Sequence, residues 1–205
     1  MGIMVALSGL DGSGKTSQSN QLALMCREYG YSVNVIQLKN VKAIPYLYKV
    51  KRIMGQYRIC HEMSEDERYN LGCAFLFQEK VNDIVMNSVE THDVTILDRY
   101  IDSGKCYHYL KDGLYSSVRK IYEYLPQADV NAFLDLSPEA CYARIKKREK
   151  QSVYESLVYL RKAYEFYNSE KDRFSWINAA KPIDEITQVL FSKVNIQMDH
   201  HGVIH

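Results

Sequence analysis

The chain has 205 residues, a formal net charge of +1 and 46% hydrophobic residues. That length suits one domain with a sizeable core, and the near-zero charge argues against a surface built for nucleic acid. No apolar run approaches membrane-spanning length, the N-terminus opens into a strand pattern rather than a signal peptide, and the five cysteines are scattered without C-x-x-C spacing, so a reducing cytoplasm is expected.

In chain order, residues 3–7 read as a short buried strand. Gly9-Leu10-Asp11-Gly12-Ser13-Gly14-Lys15-Thr16 comes next, and then a helix from Lys15 with Leu22, Met25, Cys26 and Tyr29 at helical spacing and Gly30 as its stop. Residues 33–36 make a second strand. Ser64-Glu65-Asp66-Glu67 is a capping box that opens a long helix toward Val89. A third strand over 94–97 ends in Asp98, and a fourth covers 132–136. Ser137-Pro138-Glu139 then supplies a cap, a proline at the first helical position and an acid at the positive end of the helix dipole. A fifth strand covers 174–177, and Pro182 with Asp184 and Glu185 opens the last helix. Strand–helix alternation of this kind predicts an α/β fold with a five-stranded parallel sheet and helices on both faces, and G-x-x-x-x-G-K-[ST] at 9–16 after its first strand makes it a P-loop NTPase three-layer sandwich. Ligands are then expected at the carboxyl ends of the strands.

The segment 9–16 fits G-x-x-x-x-G-K-[ST] and has a strand before it and a helix after it. A strand, a glycine turn and a helix start aim backbone N–H groups at one point, where the helix dipole also favours an anion. The phosphates of ATP are expected on Gly9, Asp11, Gly12, Ser13, Gly14, Lys15, Thr16 and Ser17. Lys15 would neutralise β- and γ-phosphate charge, and the Thr16 hydroxyl would hold Mg²⁺. Asp98 ends an apolar strand, where a carboxylate can orient the same ion. The adjacent Arg99 can grip a second phosphate bidentately.

Three segments together resemble the thymidylate kinase family: residues 7–16, Asp98-Arg99-Tyr100, and Leu134-Asp135-Leu136-Ser137-Pro138-Glu139. Arg144-Ile145-Lys146-Lys147-Arg148 is similar to the start of that family's lid, and Tyr154-Glu155 to the segment just beyond the lid. The resemblance implies a single P-loop kinase domain with a short mobile lid at about 144–155. It also implies transfer of the ATP γ-phosphate to the phosphate of a (deoxy)nucleoside monophosphate such as dTMP. Asp11 would face the acceptor's sugar and phosphate, with Arg99 and Lys39 as phosphate ligands. Phe75 would stack on the base, and Ser103 and Tyr107 would line the nucleoside pocket. No arginine or lysine occupies the variable P-loop positions, so Arg148, with Lys147 or Arg144 as substitutes, is expected to bring catalytic charge from the lid. The small-molecule acceptor is the expected partner. A homodimer is compatible with the resemblance, while nucleic acid and membrane are not expected.

Two positions depart from the family. An arginine usually stands four residues after the stacking phenylalanine, but Phe75 is followed there by Glu79, an acceptor-only carboxylate. Lys80 is one residue further, about 100° around the helix, and is not expected to replace the arginine. Val153 stands where the family commonly has an arginine. A base-facing Glu79 would favour N–H-bearing bases such as cytosine or guanine. Two alternatives therefore stand beside dTMP: a kinase for a non-thymine or modified nucleotide or another small metabolite, and a nucleotide-binding regulator without transfer activity. The abundant tyrosines, among them Tyr122, Tyr124, Tyr159, Tyr164 and Tyr167, are expected to pack with their hydroxyls reaching water.

Overall fold

A computed structural model describes residues 1–38, 63–147 and 155–202. The five apolar runs become strands β1 (Ile3–Gly9), β2 (Val33–Ile36), β3 (Val94–Asp98), β4 (Val130–Asp135) and β5 (Ser175–Asn178). All are parallel, in the order β2-β3-β1-β4-β5. Every residue of β1 is buried, as the central strand of a sheet covered on both faces must be. Its side chains alternate between two cores. Ile3, Val5 and Leu7 pack with Leu22 and Cys26 of α1 (Lys15–Glu28), whereas Met4 and Ala6 pack with Ala74 of α2 (Glu65–Lys80).

Further helices come in order: α3 (Met86–Thr91), α4 (Ile101–Leu110), α5 (Ser116–Glu123), α6 (Pro138–Ile145), α7 (Leu157–Ser169) and α8 (Ile183–His200). The expected α/β sandwich is therefore present. In the first core, α1 packs on α8; in the second, α2 packs on α5.

Local chemistry accounts for the starts of two helices. Ser64 Oγ accepts the Glu67 N–H at 3.1 Å, and Ser137 Oγ accepts the Ala140 N–H at 3.2 Å. The Glu67 carboxylate accepts a bond from Ser117 Oγ at 2.7 Å, so it ties α2 to α5. The long helix expected toward Val89 is interrupted by a π-helical turn at Val81–Val85, which separates α2 from α3. The tyrosines divide: Tyr124 is exposed, while Tyr122 and Tyr167 are buried, with hydroxyls that bond to protein rather than to water. Among the described residues no helix is long and apolar enough to cross a membrane.

The strand order sets the place for a ligand. The chain leaves β1 toward β2 on one side and leaves β3 toward β4 on the other, although β1 and β3 are neighbours. The carboxyl ends of these two strands, at Gly9 and Asp98, therefore frame the crevice where open parallel sheets bind ligands.

Candidate active site

The glycine turn after β1 adopts backbone angles that side chains disfavour. Gly12 and Gly14 have φ of 89° and 101°. A Cβ on Gly12 would lie 2.6 Å from the Cys141 carbonyl of α6, so the loop passes too close to that helix for anything larger. Gly14 caps α1, whose first turn carries no acid, leaving the positive end of the dipole unopposed. The Ser13 hydroxyl is buried here with no hydrogen-bond partner among the described residues. An orphaned hydroxyl in a loop of this shape fits a phosphate oxygen.

Lys15 lies buried beneath the loop, its Nζ donating to the carbonyls of Gly9 at 3.0 Å and Leu10 at 2.7 Å. Burial first, and then Arg99, lower its pKa to about 7, against the opposing pull of Asp11 and Asp98. Thr16 Oγ1 donates to Asp98 Oδ2 at 2.6 Å, and Asp98 is buried. This pairing of α1 with the end of β3 places a hydroxyl and a carboxylate, both hard oxygen ligands, in contact. Their chemistry fits Mg²⁺ with phosphate oxygens and waters completing the shell.

Arg99 comes directly after Asp98 in a left-handed conformation, φ 77°, which costs a non-glycine residue about 1–3 kcal/mol. Its N–H donates to the Leu7 carbonyl at 3.1 Å, and its guanidinium is ion-paired to Asp11 of the glycine loop. Burial opposes the charge, but Asp11, Tyr167 and Asp98 outweigh it and raise the pKa. A strained arginine held beside the phosphate loop is a rigid cation at the mouth of a cavity.

That cavity, about 660 Å³, begins at Gly9, Asp11 and Arg99 and runs between α2, α4, α5 and α7. Ser103 and Tyr107 of α4 line it, and Glu155 joins them from the segment before α7. The α2 wall differs from expectation. Cys73, Leu76, Phe77 and Lys80 face the cavity, one stripe at i, i+3, i+4 and i+7, while Phe75 and Glu79 do not line it. Two residues rotate a helix about 200°, so a wall containing Phe77 turns both of them away. Both Phe75 and Phe77 pack against the second core, but of the two it is Phe77 that also lines the cavity. The stacking ring expected at Phe75 and the base-edge carboxylate expected at Glu79 thus stand off this wall, and Phe77 and Lys80 stand on it. Burial lowers the pKa of the Lys80 ammonium, which stands on the stripe.

Lys39 and Arg148, expected as phosphate ligand and lid cation, lie outside the described residues, as does Val153. Arg144 is described. Its Nη1 lies 3.4 Å from the Gly12 carbonyl, at the phosphate loop. Among the residues that sequence reasoning missed, Phe77 and Lys80 could have been found from the stripe once Cys73 was taken as its first member. His108 and Tyr122, also on the cavity wall, carried no motif at all.

A phosphate loop with a buried lysine, a hydroxyl–carboxylate pair for Mg²⁺, and a second cation facing a separate cavity define an ATP-dependent phosphotransferase of the P-loop class. The sequence model of thymidylate kinase matches residues 7–190. The chain belongs to the thymidylate kinase family. It is 27% identical over 190 residues to a probable thymidylate kinase of Archaeoglobus fulgidus, covering 91% of each chain. It is 26% identical over 211 residues to a thymidylate kinase of Chlorobium phaeobacteroides, covering 90% of each, and 26% identical over 213 residues to one of Bacillus cytotoxicus, covering 94% of this chain and 99% of that protein. Nucleoside monophosphate kinase activity is the function of this fold and site.

Proposed function

We propose that the protein transfers the γ-phosphate of ATP to the 5′-phosphate of a deoxynucleoside monophosphate, with dTMP as the acceptor. The observation that carries this reading is the position of Arg99. It stands between the phosphate loop and the cavity, bound to Asp11 on one side and next to Asp98 on the other. An acceptor phosphate on Arg99 and a donor phosphate on Lys15 would meet over the ends of β1 and β3. Two anions that approach one another need charge neutralisation and alignment more than a strong base, since acceptor phosphate oxygens are already ionised near neutral pH.

Each residue then has a task. Lys15 exchanges its two carbonyl partners for phosphate oxygens, and Ser13 gains the partner it lacks. Thr16 and Asp98 would hold Mg²⁺, which when bound would supply positive charge against the phosphates. Asp11, released from part of its bond to Arg99, is left to meet the acceptor sugar. Arg144, already at the loop, supplies cationic charge over the donor phosphate; the lid expected from the sequence at about 144–155 would add Lys147 and Arg148 and exclude water during transfer.

A coupled assay of ADP release tests the reading. ADP should appear only when a nucleoside monophosphate is present. Acceptor-independent hydrolysis, or ATP binding without turnover, would refute it. Glu79, turned from the cavity, gives no ground for preferring a different base.

A further inference from the structure

In the wall of the same cavity, a buried chain of side chains fixes where one proton sits. Asn70 Nδ2 donates to the Asp66 carbonyl at 2.8 Å. The opposite orientation of the amide would press two acceptor oxygens together, so Asn70 Oδ1 faces His108. His108 Nδ1 lies 2.6 Å from that oxygen and must therefore carry the hydrogen and donate it. The neutral ring then has a bare Nε2, and Tyr122 Oη, 3.2 Å away, donates to it. Burial, reinforced by Lys111, lowers the His108 pKa to about 4, so the ring stays neutral through the physiological range. The Tyr122 hydroxyl has thus used its proton and has only lone pairs left.

Both His108 and Tyr122 belong to the cavity wall. Gly104 of α4 lines the cavity beside them, and a Cβ there would lie 2.6 Å from Tyr122 Oη. The bare Cα of Gly104 is what lets the hydroxyl end of Tyr122 come up to this wall. The surrounding wall suits a flat ring: Phe77 packs on Tyr122 with ring centroids 5.3 Å apart and on Tyr100 at 6.2 Å. This aromatic stretch of the wall is where a base would lie if the acceptor phosphate sits on Arg99.

We propose that Tyr122 is a specificity-determining residue for the acceptor base, held as a hydrogen-bond acceptor by the Asn70–His108–Tyr122 relay, so that the site takes bases with a ring N–H, the imide of thymine or uracil. Asn70 and His108 act through Tyr122 and are positioning residues. The inference rests on the monophosphate kinase reading above. It adds that base selection comes from α4 and α5 as well as from α2.

The test compares dTMP with N3-methyl-dTMP, dUMP and dCMP in the ADP-release assay, for wild type, Tyr122→Phe and His108→Phe. A site built around a hydrogen bond rejects an analogue that cannot make it, so wild type should use N3-methyl-dTMP with kcat/KM at least about a hundredfold below dTMP, and dUMP should remain a substrate. Tyr122→Phe keeps the ring against Phe77 but removes the oxygen. It should narrow the dTMP to N3-methyl-dTMP ratio about tenfold, through KM rather than kcat. His108→Phe frees the Tyr122 proton, and dCMP, whose ring N3 is an acceptor, should gain on dTMP. Each ratio is taken within one preparation and does not depend on the fraction folded. Equal use of dTMP and its N3-methyl analogue by wild type, or an unchanged ratio in Tyr122→Phe, would overturn the inference and leave the kinase reading intact. Absence of turnover with every monophosphate would instead overturn the kinase reading, and the inference with it.

Discussion

The two ends of the cavity are built on different principles. The phosphate end is made of consecutive residues on two neighbouring strands: the glycine loop after β1 and Asp98-Arg99 after β3. Backbone angles, a helix terminus and three charged side chains do the recognition there, and the ligand they suit is any polyphosphate. The base end is made of single side chains from α2, α4 and α5, brought together only by packing. A generic charge is held by a contiguous, rigid motif. A particular base is read by a dispersed set of residues that can change one at a time without disturbing the fold.

The strongest way to break the contrast is at the phosphate end. Lys15→Ala and Arg99→Ala should each lower kcat/KM by about a hundredfold or more, since a well-placed charge in a transition state is worth about 3 kcal/mol or above. The two should differ in kind. Lys15→Ala should impair binding and turnover of ATP, whereas Arg99→Ala should raise the acceptor KM and lower kcat with little change in the KM for ATP. Neither should unfold the chain, as alanine keeps the Cβ that the left-handed backbone at Arg99 already accommodates, and the hydrogen bonds of Lys15 Nζ go only to the carbonyls of Gly9 and Leu10 in its own loop. Thermal melts alongside the kinetics check this. Wild-type turnover in Arg99→Ala at saturating acceptor would show that the acceptor phosphate sits elsewhere.

A pH profile gives the next largest effect. Lys15 in the ligand-free protein has a pKa lowered to about 7, and bound polyphosphate restores the charge. Above that pH the free enzyme carries a neutral amine and must take up a proton on binding. Nucleotide affinity should therefore fall as pH rises from about 7 toward 9, by up to about tenfold per unit. The phosphates are already ionised across this window, so they contribute little. Titration calorimetry in buffers of different ionisation enthalpy should report close to one proton taken up at about pH 8, and none in Lys15→Met.

The same contrast explains how much was legible. The strands, their parallel order class and the placement of Lys15, Thr16, Asp98 and Arg99 at the carboxyl ends of β1 and β3 could be read because each lies in a short stretch whose spacing dictates its geometry. The Asp11–Arg99 ion pair could not, since it joins residues on separate loops through a left-handed backbone that no pattern announces. The α2 wall was misassigned by two residues, and a shift of two is the worst error on a helix: it moves the chosen side chains almost to the opposite face. Nothing local separates Phe75 from Phe77. The choice is made by Tyr100 and Tyr122, whose rings take Phe77, and these arrive from other elements. His108 was passed over for a related reason. Its place in the proposed relay depends on Asn70 and Tyr122, 38 residues before it and 14 after it.

The smallest expected effects sharpen the comparison at the base end, where two neighbouring positions on one helix should behave oppositely. Phe77→Ala removes a ring from the cavity wall and should raise the acceptor KM several-fold. It should also destabilise the protein by less than the about 3–5 kcal/mol typical of a fully buried phenylalanine, because Phe77 is only partly buried. Glu79→Ala, two residues on, should leave acceptor KM and the order of preference among dTMP, dUMP and dCMP within about twofold of wild type, as expected for a side chain outside the site. Steady-state kinetics on the two variants with the same acceptor set decides the register of α2 directly. A loss of base preference in Glu79→Ala, with Phe77→Ala unaffected, would return the wall to the 75/79 face. It would also remove Tyr122 from contact with the base, since Phe77 is the ring of α2 packed against Tyr122.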